Sequence, residues 1–152
     1  MDAALSFLSY RPRTVYEVRR KLRERSFAAG IVERSLDRLT AVGLVNDESF
    51  VEFYVRDRIT HRPMGVRRLT DELFTKGIKS DFARPIIGRI FAEEEVDERN
   101  LAARAANKKL RSSKRTTGLD PAARRRLAGY LARRGFAGGI VREVIDDLVS
   151  RE

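Results

Sequence analysis

The chain has no cysteine, no tryptophan and only four prolines in 152 residues. The lack of cysteine excludes disulfide bonds, thiolate chemistry and thiolate-bound zinc, and it fits a reducing compartment. Aromatic residues make up only 8% of the chain, so a core built mainly from Leu, Ile, Val and Ala is expected. Because proline is scarce while Ala, Leu, Arg and Glu are abundant, the composition favours helix over strand.

Long apolar runs are also missing. No stretch approaches the roughly 18 consecutive apolar residues that predict a membrane span. The N-terminal segment has an acid at Asp2 and no apolar run long enough for a signal peptide. We therefore expect a cytoplasmic protein with no membrane partner.

Few residues point to catalysis or metal binding. The single histidine, His61, has no cysteine to complete a transition-metal site, and we interpret it as a helix cap or a surface residue. No GxxxxGK(S/T) phosphate-binding loop occurs. Adjacent acids such as Asp71 and Glu72 do not converge on one substrate when they lie on a helix. We expect no enzymatic activity, no cofactor and no metal.

The chain does contain an internal repeat. Three windows of twenty residues align: "RKLRERSFAAGIVERSLDRL" at 20–39, "DELFTKGIKSDFARPIIGRI" at 71–90 and "GYLARRGFAGGIVREVIDDL" at 129–148. The first and third windows share nine residues, and the second keeps the apolar pattern. Gly77 and Gly135 precede a large apolar residue, at the left-handed position that ends a helix. Ser26 occupies this position in the first window and predicts a weaker stop.

Helix-start signals divide the chain into helices. Thr14 with Glu17 forms a capping-box pattern, and Asp120-Pro121 gives an N-cap followed by proline at the first helical position. The stretch "RPMG" at 62–65 interrupts the chain before another helix. One further helix is predicted ahead of each of these, at about 3–10, 47–60 and 96–110. The sequence thus predicts nine helices, three in each repeating unit.

These elements define the predicted architecture. A three-helix unit of some fifty residues has a small core, so stacking of neighbouring units is expected to stabilise all three. We predict an all-α fold of three tandem three-helix repeats that form an elongated, curved array. The predicted repeats are residues 1–47, 48–95 and 96–152, with a polar loop at 111–120 in the third.

Positive charge is in large excess and unevenly distributed. The net charge is +10, with +3 in residues 1–47, zero in 48–95 and +7 in 96–152. Such an excess indicates a polyanionic partner, either nucleic acid or an acidic protein surface, and the arginine fork suits phosphate or carboxylate. The predicted loop adds Lys114 and Arg115. The candidate contact residues are Arg19, Arg20, Lys21, Arg23, Arg25, Lys108, Lys109, Arg111, Arg124, Arg125, Arg126, Arg133 and Arg134.

Four stretches in series carry a family resemblance: "RPRTVYEVRRKL", "GLVNDESFVEFYVRDR", "GVRRLTDELFTKGI" and "YLARRGFAGGIV". Together they resemble the bacterial regulatory protein family RecX over essentially the whole chain. The resemblance implies three tandem three-helix repeats and binding to the filament of the recombinase RecA on single-stranded DNA. It also implies restraint of RecA's ATP hydrolysis, strand exchange and promotion of LexA cleavage. It supplies no catalytic residues, and the basic positions above are inferred from charge alone.

Two other functions remain open at the level of sequence. Short helix–glycine–helix windows also allow a stand-alone helical DNA-binding regulator, which would bind duplex DNA tightly and selectively. A structural adaptor that binds another acidic protein is the third interpretation. The family resemblance instead predicts weak binding to single- and double-stranded DNA without strong sequence preference, and no feature requires more than a monomer.

Overall fold

The computed structural model describes residues 1–113 and 118–151, and this part of the chain contains nine α-helices and no β-strand. The helices form three trios, here called repeats 1, 2 and 3, which confirms the predicted all-α, three-repeat fold. Residues 114–117 of the predicted polar loop, with Lys114 and Arg115, lie outside the described residues. The helices are α1 (Asp2–Leu8), α2 (Val15–Glu24), α3 (Ala29–Ala41), α4 (Asp47–His61), α5 (Val66–Thr75), α6 (Ser80–Glu93), α7 (Glu98–Ser112), α8 (Pro121–Arg133) and α9 (Gly138–Ser150).

Side-chain caps begin several of the helices. The Thr14 hydroxyl accepts a hydrogen bond from the backbone N–H of Glu17, whose carboxylate accepts the N–H of Thr14 in return, both at 3.1 Å. Asp120 caps α8 by accepting the N–H of Ala123 at 2.6 Å. Both sequence predictions are therefore confirmed. Each such cap satisfies a backbone donor that the helix leaves free and stabilises the helix by about 1 kcal/mol.

The middle helix of every repeat ends in the same way. Ser26, Gly77 and Gly135 all have positive φ, at 62°, 81° and 84°. The amide of the residue that follows each of them bonds back to a carbonyl in the last turn of its helix, as in Phe136 N–H to Leu131 O at 3.3 Å. This geometry satisfies carbonyls at the helix end, and it confirms the left-handed position predicted from the repeat.

The apolar residues form two separate cores. One core belongs to repeat 1 alone and includes Val18, Leu22 and Leu39. The other is continuous through repeats 2 and 3, from Phe50 to Ile145. Because burial of apolar surface is the main stabilising contribution, repeats 2 and 3 are firmly united, whereas repeat 1 depends more on the polar contacts at its boundary.

Two equivalent joints connect the repeats, each at the start of a middle helix. Between repeats 1 and 2, the N–H of Val15 donates to Asp47 Oδ1 at 2.9 Å, and the Thr14 hydroxyl donates to the carbonyl oxygen of Lys76 at 2.6 Å. Burial raises the pKa of the Asp47 carboxyl above its ordinary value, although the bond from Val15 opposes this. The start of α2 is thereby held against both the start of α4 and the end of α5.

The joint between repeats 2 and 3 repeats this arrangement. The N–H of Val66 donates to Glu98 Oε1 at 2.6 Å, and the N–H of Gly65 donates to the carbonyl oxygen of Arg134 at 2.8 Å. The positions correspond because Val15 and Val66 are each the first residue of a middle helix, and Asp47 and Glu98 each begin the helix that follows a completed repeat. The same stacking geometry is therefore used twice.

Close approach at the joints explains why glycine occurs at two of the three equivalent positions. A Cβ added at Gly77 would lie 2.2 Å from the Tyr16 Cβ, and one at Gly135 would lie 2.4 Å from the backbone nitrogen of Arg68. Real Cβ atoms do not approach so closely. Ser26 is exposed, so a side chain is accommodated there.

No helix in residues 1–113 and 118–151 combines the length and apolarity needed to cross a membrane.

Candidate polyanion-binding surface

Repeat 3 presents a basic face on α7 and α8. Both helices turn an apolar stripe into the shared core, represented by Leu101 and Ala105 on α7 and by Leu127 and Leu131 on α8. The cations lie outside these stripes and are exposed, apart from Arg134, which is half-buried. The repeat-3 basic face is defined here as Lys108, Lys109, Arg111, Arg124, Arg125, Arg126, Arg133 and Arg134.

Among the described residues, no carboxylate forms an ion pair with a member of this face. Within the described ranges, the ion pairs of repeat 3 are those that Arg99 makes with Glu143 and Asp147, and no member of the basic face forms one. Two members bond instead to backbone carbonyls: Arg124 Nε donates to Leu119 O at 2.8 Å, and Lys108 Nζ donates to His61 O at 3.1 Å. Uncompensated cations of this kind can replace the counterions around a phosphate chain.

Tyr130 brings two members of the face together. The Lys109 Nζ lies 5.3 Å from the centre of the Tyr130 ring, and the Arg134 Cζ lies 5.4 Å from it. Arg134 Nε also donates a hydrogen bond to the Tyr130 hydroxyl at 3.3 Å. Because cation–π contacts hold a cation on an aromatic ring without removing its charge, α7 and α8 present these two charges at one place.

A shallow cleft between α7 and α8 lies beside this pair. It encloses about 140 Å³ and is bordered by Lys109 and Arg126, with Leu110 and Leu127 among its apolar lining. The cleft is open to solvent and is lined by no acidic side chain of the described residues. Its two cations are of the kind that binds phosphate or carboxylate groups.

The candidate residues of repeat 1 are more fully neutralised. Arg19 binds both carboxylate oxygens of Glu33, at 2.8 and 3.2 Å, and Arg20 lies 3.5 Å from Glu24. Hydrogen bonding to Glu33 raises the pKa of Arg19, and the same bond lowers the pKa of Glu33. Arg23 forms no ion pair among the described residues and lines a cleft of about 590 Å³ with the other two arginines and Tyr16.

The remaining candidates of repeat 1 lie apart from that cleft. Lys21 is half-buried, with its Nζ 5.7 Å from the ring of Phe7 on α1. Arg25 is the exposed C-cap residue of α2. The structure therefore groups Arg19, Arg20 and Arg23, and the involvement of all five residues in partner binding stays a prediction.

Repeat 2 provides a contrast. Two of its cations form ion pairs between helices: Arg56 of α4 with Glu93 and Glu94, and Arg89 of α6 with Glu48 and Glu52. These pairs use the acidic residues that give the repeat its zero net charge. The middle of the molecule is thus electrostatically neutral between two basic repeats.

Sequence reasoning missed two residues that belong to the basic surface of repeat 3. Arg104 is exposed on α7, one turn before Lys108 and two turns before Arg111, and it forms no ion pair in the part of the chain that the structure describes. Arg104 precedes Lys108 by four residues and Arg111 by seven, a spacing that places all three on one side of a helix, and this was the signal available in the sequence. Tyr130 gave no such signal, since its role depends on contact with a lysine from a different helix.

Metal-binding groups do not come together on this surface or elsewhere in the described chain. Across residues 1–113 and 118–151, no cluster of three or more His, Asp or Glu side chains is placed to hold a metal ion. His61 is the last residue of α4, with an exposed side chain, and its carbonyl oxygen accepts the bond from Lys108. This agrees with its interpretation as a residue at a helix end on the surface.

Three joined helical trios with a basic face define the chain as a helical-repeat protein. Three family models match it in order: "RecX, first three-helix domain" at residues 1–39, "RecX, second three-helix domain" at 46–84 and "RecX, third three-helix domain" at 97–145. These matches cover most of the chain. The chain therefore belongs to the RecX family of regulatory proteins.

Individual relatives agree with this assignment. "Regulatory protein RecX" of Mycobacterium sp. (strain KMS) is 38% identical over 143 residues, which is 93% of this chain and 76% of that protein. The protein of the same name from Prosthecochloris aestuarii is 29% identical over 150 residues, covering 99% of this chain and 93% of the relative. The crystal structure of RecX from Lactobacillus salivarius superposes with a TM-score of 0.76 at 25% identity, covering 97% of this chain and 92% of that one.

Proposed function

We propose that the protein modulates the RecA recombinase, acting as an inhibitor that binds the RecA filament on single-stranded DNA. Binding would restrain the filament's ATP hydrolysis, strand exchange and promotion of LexA cleavage. The proposal combines the RecX-family resemblance with one structural observation, namely that the repeat-3 basic face has no carboxylate partners among the described residues. Inhibition in this form needs no catalytic group and no cofactor, so the protein is proposed to be a non-enzymatic regulator that acts in the cytoplasm.

The mechanism is a difference in affinity between states of the filament. A ligand shifts a conformational equilibrium only to the extent that it binds one state better than another. An elongated, curved monomer with a basic face would contact phosphate and acidic protein surface together only where the filament offers both. The same cations give weak binding to free single- and double-stranded DNA, without strong sequence preference, because phosphate contacts carry no sequence information.

Charge reversal on α8 tests the proposal. Arg125→Glu with Arg126→Glu changes exposed side chains only, so helicity should be retained while affinity for RecA filaments on labelled single-stranded DNA falls by about tenfold or more. For every phosphate that the variant no longer binds, the log–log dependence of affinity on salt concentration should become shallower by about 0.7–0.9.

The matched control is Lys79→Glu with Arg84→Glu, which introduces the same charge change at exposed positions of repeat 2. Affinity close to that of the wild type is expected for this control. Equal weakening by both double variants would show that only total charge matters, and unchanged binding by the α8 variant would remove Arg125 and Arg126 from the site. Tight, sequence-selective binding to duplex DNA without RecA would contradict the proposed function itself.

A further inference from the structure

The cleft between α7 and α8, here called the α7–α8 cleft, combines an apolar floor with a charged rim. Its apolar lining is entirely aliphatic, and its polar lining consists of two cations and one hydroxyl. The described residues that line it are Lys109, Leu110, Ser113, Ala123, Arg126 and Leu127. Because aliphatic surface gains by being removed from water, the floor favours an apolar group over solvent.

The volume of the cleft matches one six-membered ring. The cleft encloses about 140 Å³. A cavity of roughly 150 Å³ with aliphatic and aromatic walls accommodates a benzene molecule. Since the α7–α8 cleft is also open to solvent, a ring can enter it while the chain that carries the ring stays outside. A nucleobase and an aromatic side chain both meet these conditions.

The rim carries positive charge that is not taken up by ion pairs. Lys109 comes from α7 and Arg126 from α8, and neither forms an ion pair within residues 1–113 and 118–151. Asp120 is the only acid of the sequence between these two cations. It is the N-cap of α8, where it accepts the N–H of Ala123, and it does not line the cleft. The cleft therefore attracts an anion as well as a ring.

The charge around the cleft favours a nucleotide chain over a protein segment. Further exposed cations without an ion pair in the described chain follow on both helices, at Lys108, Arg111, Arg124 and Arg125. One aromatic side chain with a neighbouring carboxylate would use few of them. A polynucleotide instead carries a phosphate on both sides of every base, and its affinity for a protein grows with each phosphate that a cation neutralises. A nucleotide chain thus matches the cleft and the surrounding cations together.

We infer that the α7–α8 cleft binds one base of a single-stranded nucleic acid, while the neighbouring cations bind the phosphates on either side of it. This inference rests on the proposed function, because it specifies how the repeat-3 basic face contacts DNA. In a duplex the bases are paired and stacked, so a base must be unstacked at an energetic cost before it reaches the cleft. The cleft gives the face a preference for single strands. Because an aliphatic floor packs on the face of a base and reads no base edge, this preference does not depend strongly on sequence.

The first test uses an abasic oligonucleotide and needs no RecA. Binding of the purified protein to a labelled thymidine oligonucleotide and to an abasic oligonucleotide of equal length is measured by fluorescence anisotropy at low ionic strength. The two strands carry the same number of phosphates, so charge alone predicts equal affinity. The inference predicts that the wild type binds the thymidine strand about tenfold more tightly, as expected for one packed base.

Two adjacent serines supply a matched pair of variants. Ser112 and Ser113 are both exposed at the end of α7, and each donates its hydroxyl to the carbonyl oxygen three residues earlier, at 2.8 Å. Ser113 lines the cleft and Ser112 does not. Ser113→Leu therefore adds an aliphatic side chain at the cleft without changing the charge, and Ser112→Leu makes the same change beside it. Circular dichroism checks that both variants stay folded.

The outcomes are decisive in either direction. A preference for the thymidine strand in the wild type and in Ser112→Leu, lost in Ser113→Leu, supports the inference. Equal affinity of the wild type for both strands, an unchanged preference in Ser113→Leu, or equal loss in both variants overturns it. The capped peptide Glu-Glu-Phe-Glu-Glu also competes against the labelled strand. If it competes more strongly than an unlabelled thymidine oligonucleotide of equal charge, the cleft takes a protein ring and the inference is wrong.

The second test separates this inference from the proposed function. Binding of the wild type to RecA filaments is measured beside its binding to the two free strands. If it binds filaments but does not distinguish the thymidine strand from the abasic strand, the inference is wrong while the proposed function stands. If it leaves filaments unbound but prefers the thymidine strand, the proposed function is wrong, and the cleft still binds a base.

Discussion

Replacing Gly77 by alanine should open the joint between repeats 1 and 2. Two effects contribute to the loss of stability that this substitution causes. An alanine at the observed φ of 81° occupies the left-handed region, which costs about 1–2 kcal/mol. The new Cβ would also lie 2.2 Å from the Tyr16 Cβ, and because the Cβ atoms of both residues are held by backbone, relief requires the joint to separate. Overpacking of this kind costs a further 1–3 kcal/mol, approximately.

Gly43 provides the control that isolates the second effect. Its φ is 75°, but a Cβ added there meets no atom within 4 Å, so Gly43→Ala carries the backbone cost alone. Urea unfolding followed by circular dichroism should therefore show Gly77→Ala less stable than Gly43→Ala by about 1–3 kcal/mol, a midpoint difference of roughly 1 M. Hydrogen exchange should be accelerated in α2 by Gly77→Ala only. Equal midpoints for the two variants would refute the reasoning that glycine is required at the joint for close approach.

Two further predictions concern the acids of the same joint. Asp47→Asn should stay within about 0.5 kcal/mol of the wild type, because its amide oxygen can still accept the N–H of Val15, whereas Asp47→Ala should lose about 1–2 kcal/mol in the same unfolding assay. A large loss in Asp47→Asn would show that the charge, rather than the hydrogen bond, stabilises the joint. The lowered pKa of Glu17 means that its contribution to stability is present at neutral pH and is lost as pH falls through the pKa of the folded state. Thermal unfolding from about pH 6 to pH 3 should therefore show a smaller decline for Glu17→Gln than for the wild type, and parallel declines would contradict this assignment.

The fold was largely predictable because its determinants are local. Thr14 with Glu17, and Asp120 with Pro121, are short patterns whose hydrogen bonds form within a single helical turn. The left-handed conformation at Gly77 and Gly135 was equally visible, since the same position recurs before a large apolar residue. None of these features depends on how distant parts of the chain are arranged.

The joints could not be derived in the same way. Gly77 has a second requirement, the close approach of Tyr16, which comes from sixty-one positions earlier in the chain. Asp47 and Glu98 reach back to backbone amides of the preceding repeat, and as sequence they are merely acids at helix starts. The division of the core into one for repeat 1 and one for repeats 2 and 3 likewise depends on packing between units.

The candidate site was only partly predictable, because counting cations does not reveal which of them are neutralised. Arg19 counts equally with Arg126 in a charge sum, but Arg19 is bound to Glu33, fourteen residues away, while Arg126 borders an open cleft. Phe53 shows a related limit: it follows the apolar spacing of α4, and only the packed structure shows that it stays exposed.

The most direct test of the proposed function is a titration of the purified protein into the DNA-dependent ATPase of RecA on single-stranded DNA at low ionic strength. We predict that wild-type protein suppresses hydrolysis, that Arg125→Glu with Arg126→Glu suppresses it only at concentrations about tenfold higher or more, and that Lys79→Glu with Arg84→Glu resembles the wild type. Unaltered hydrolysis at saturating wild-type protein would contradict the central claim that this RecX-family chain acts on recombinase filaments.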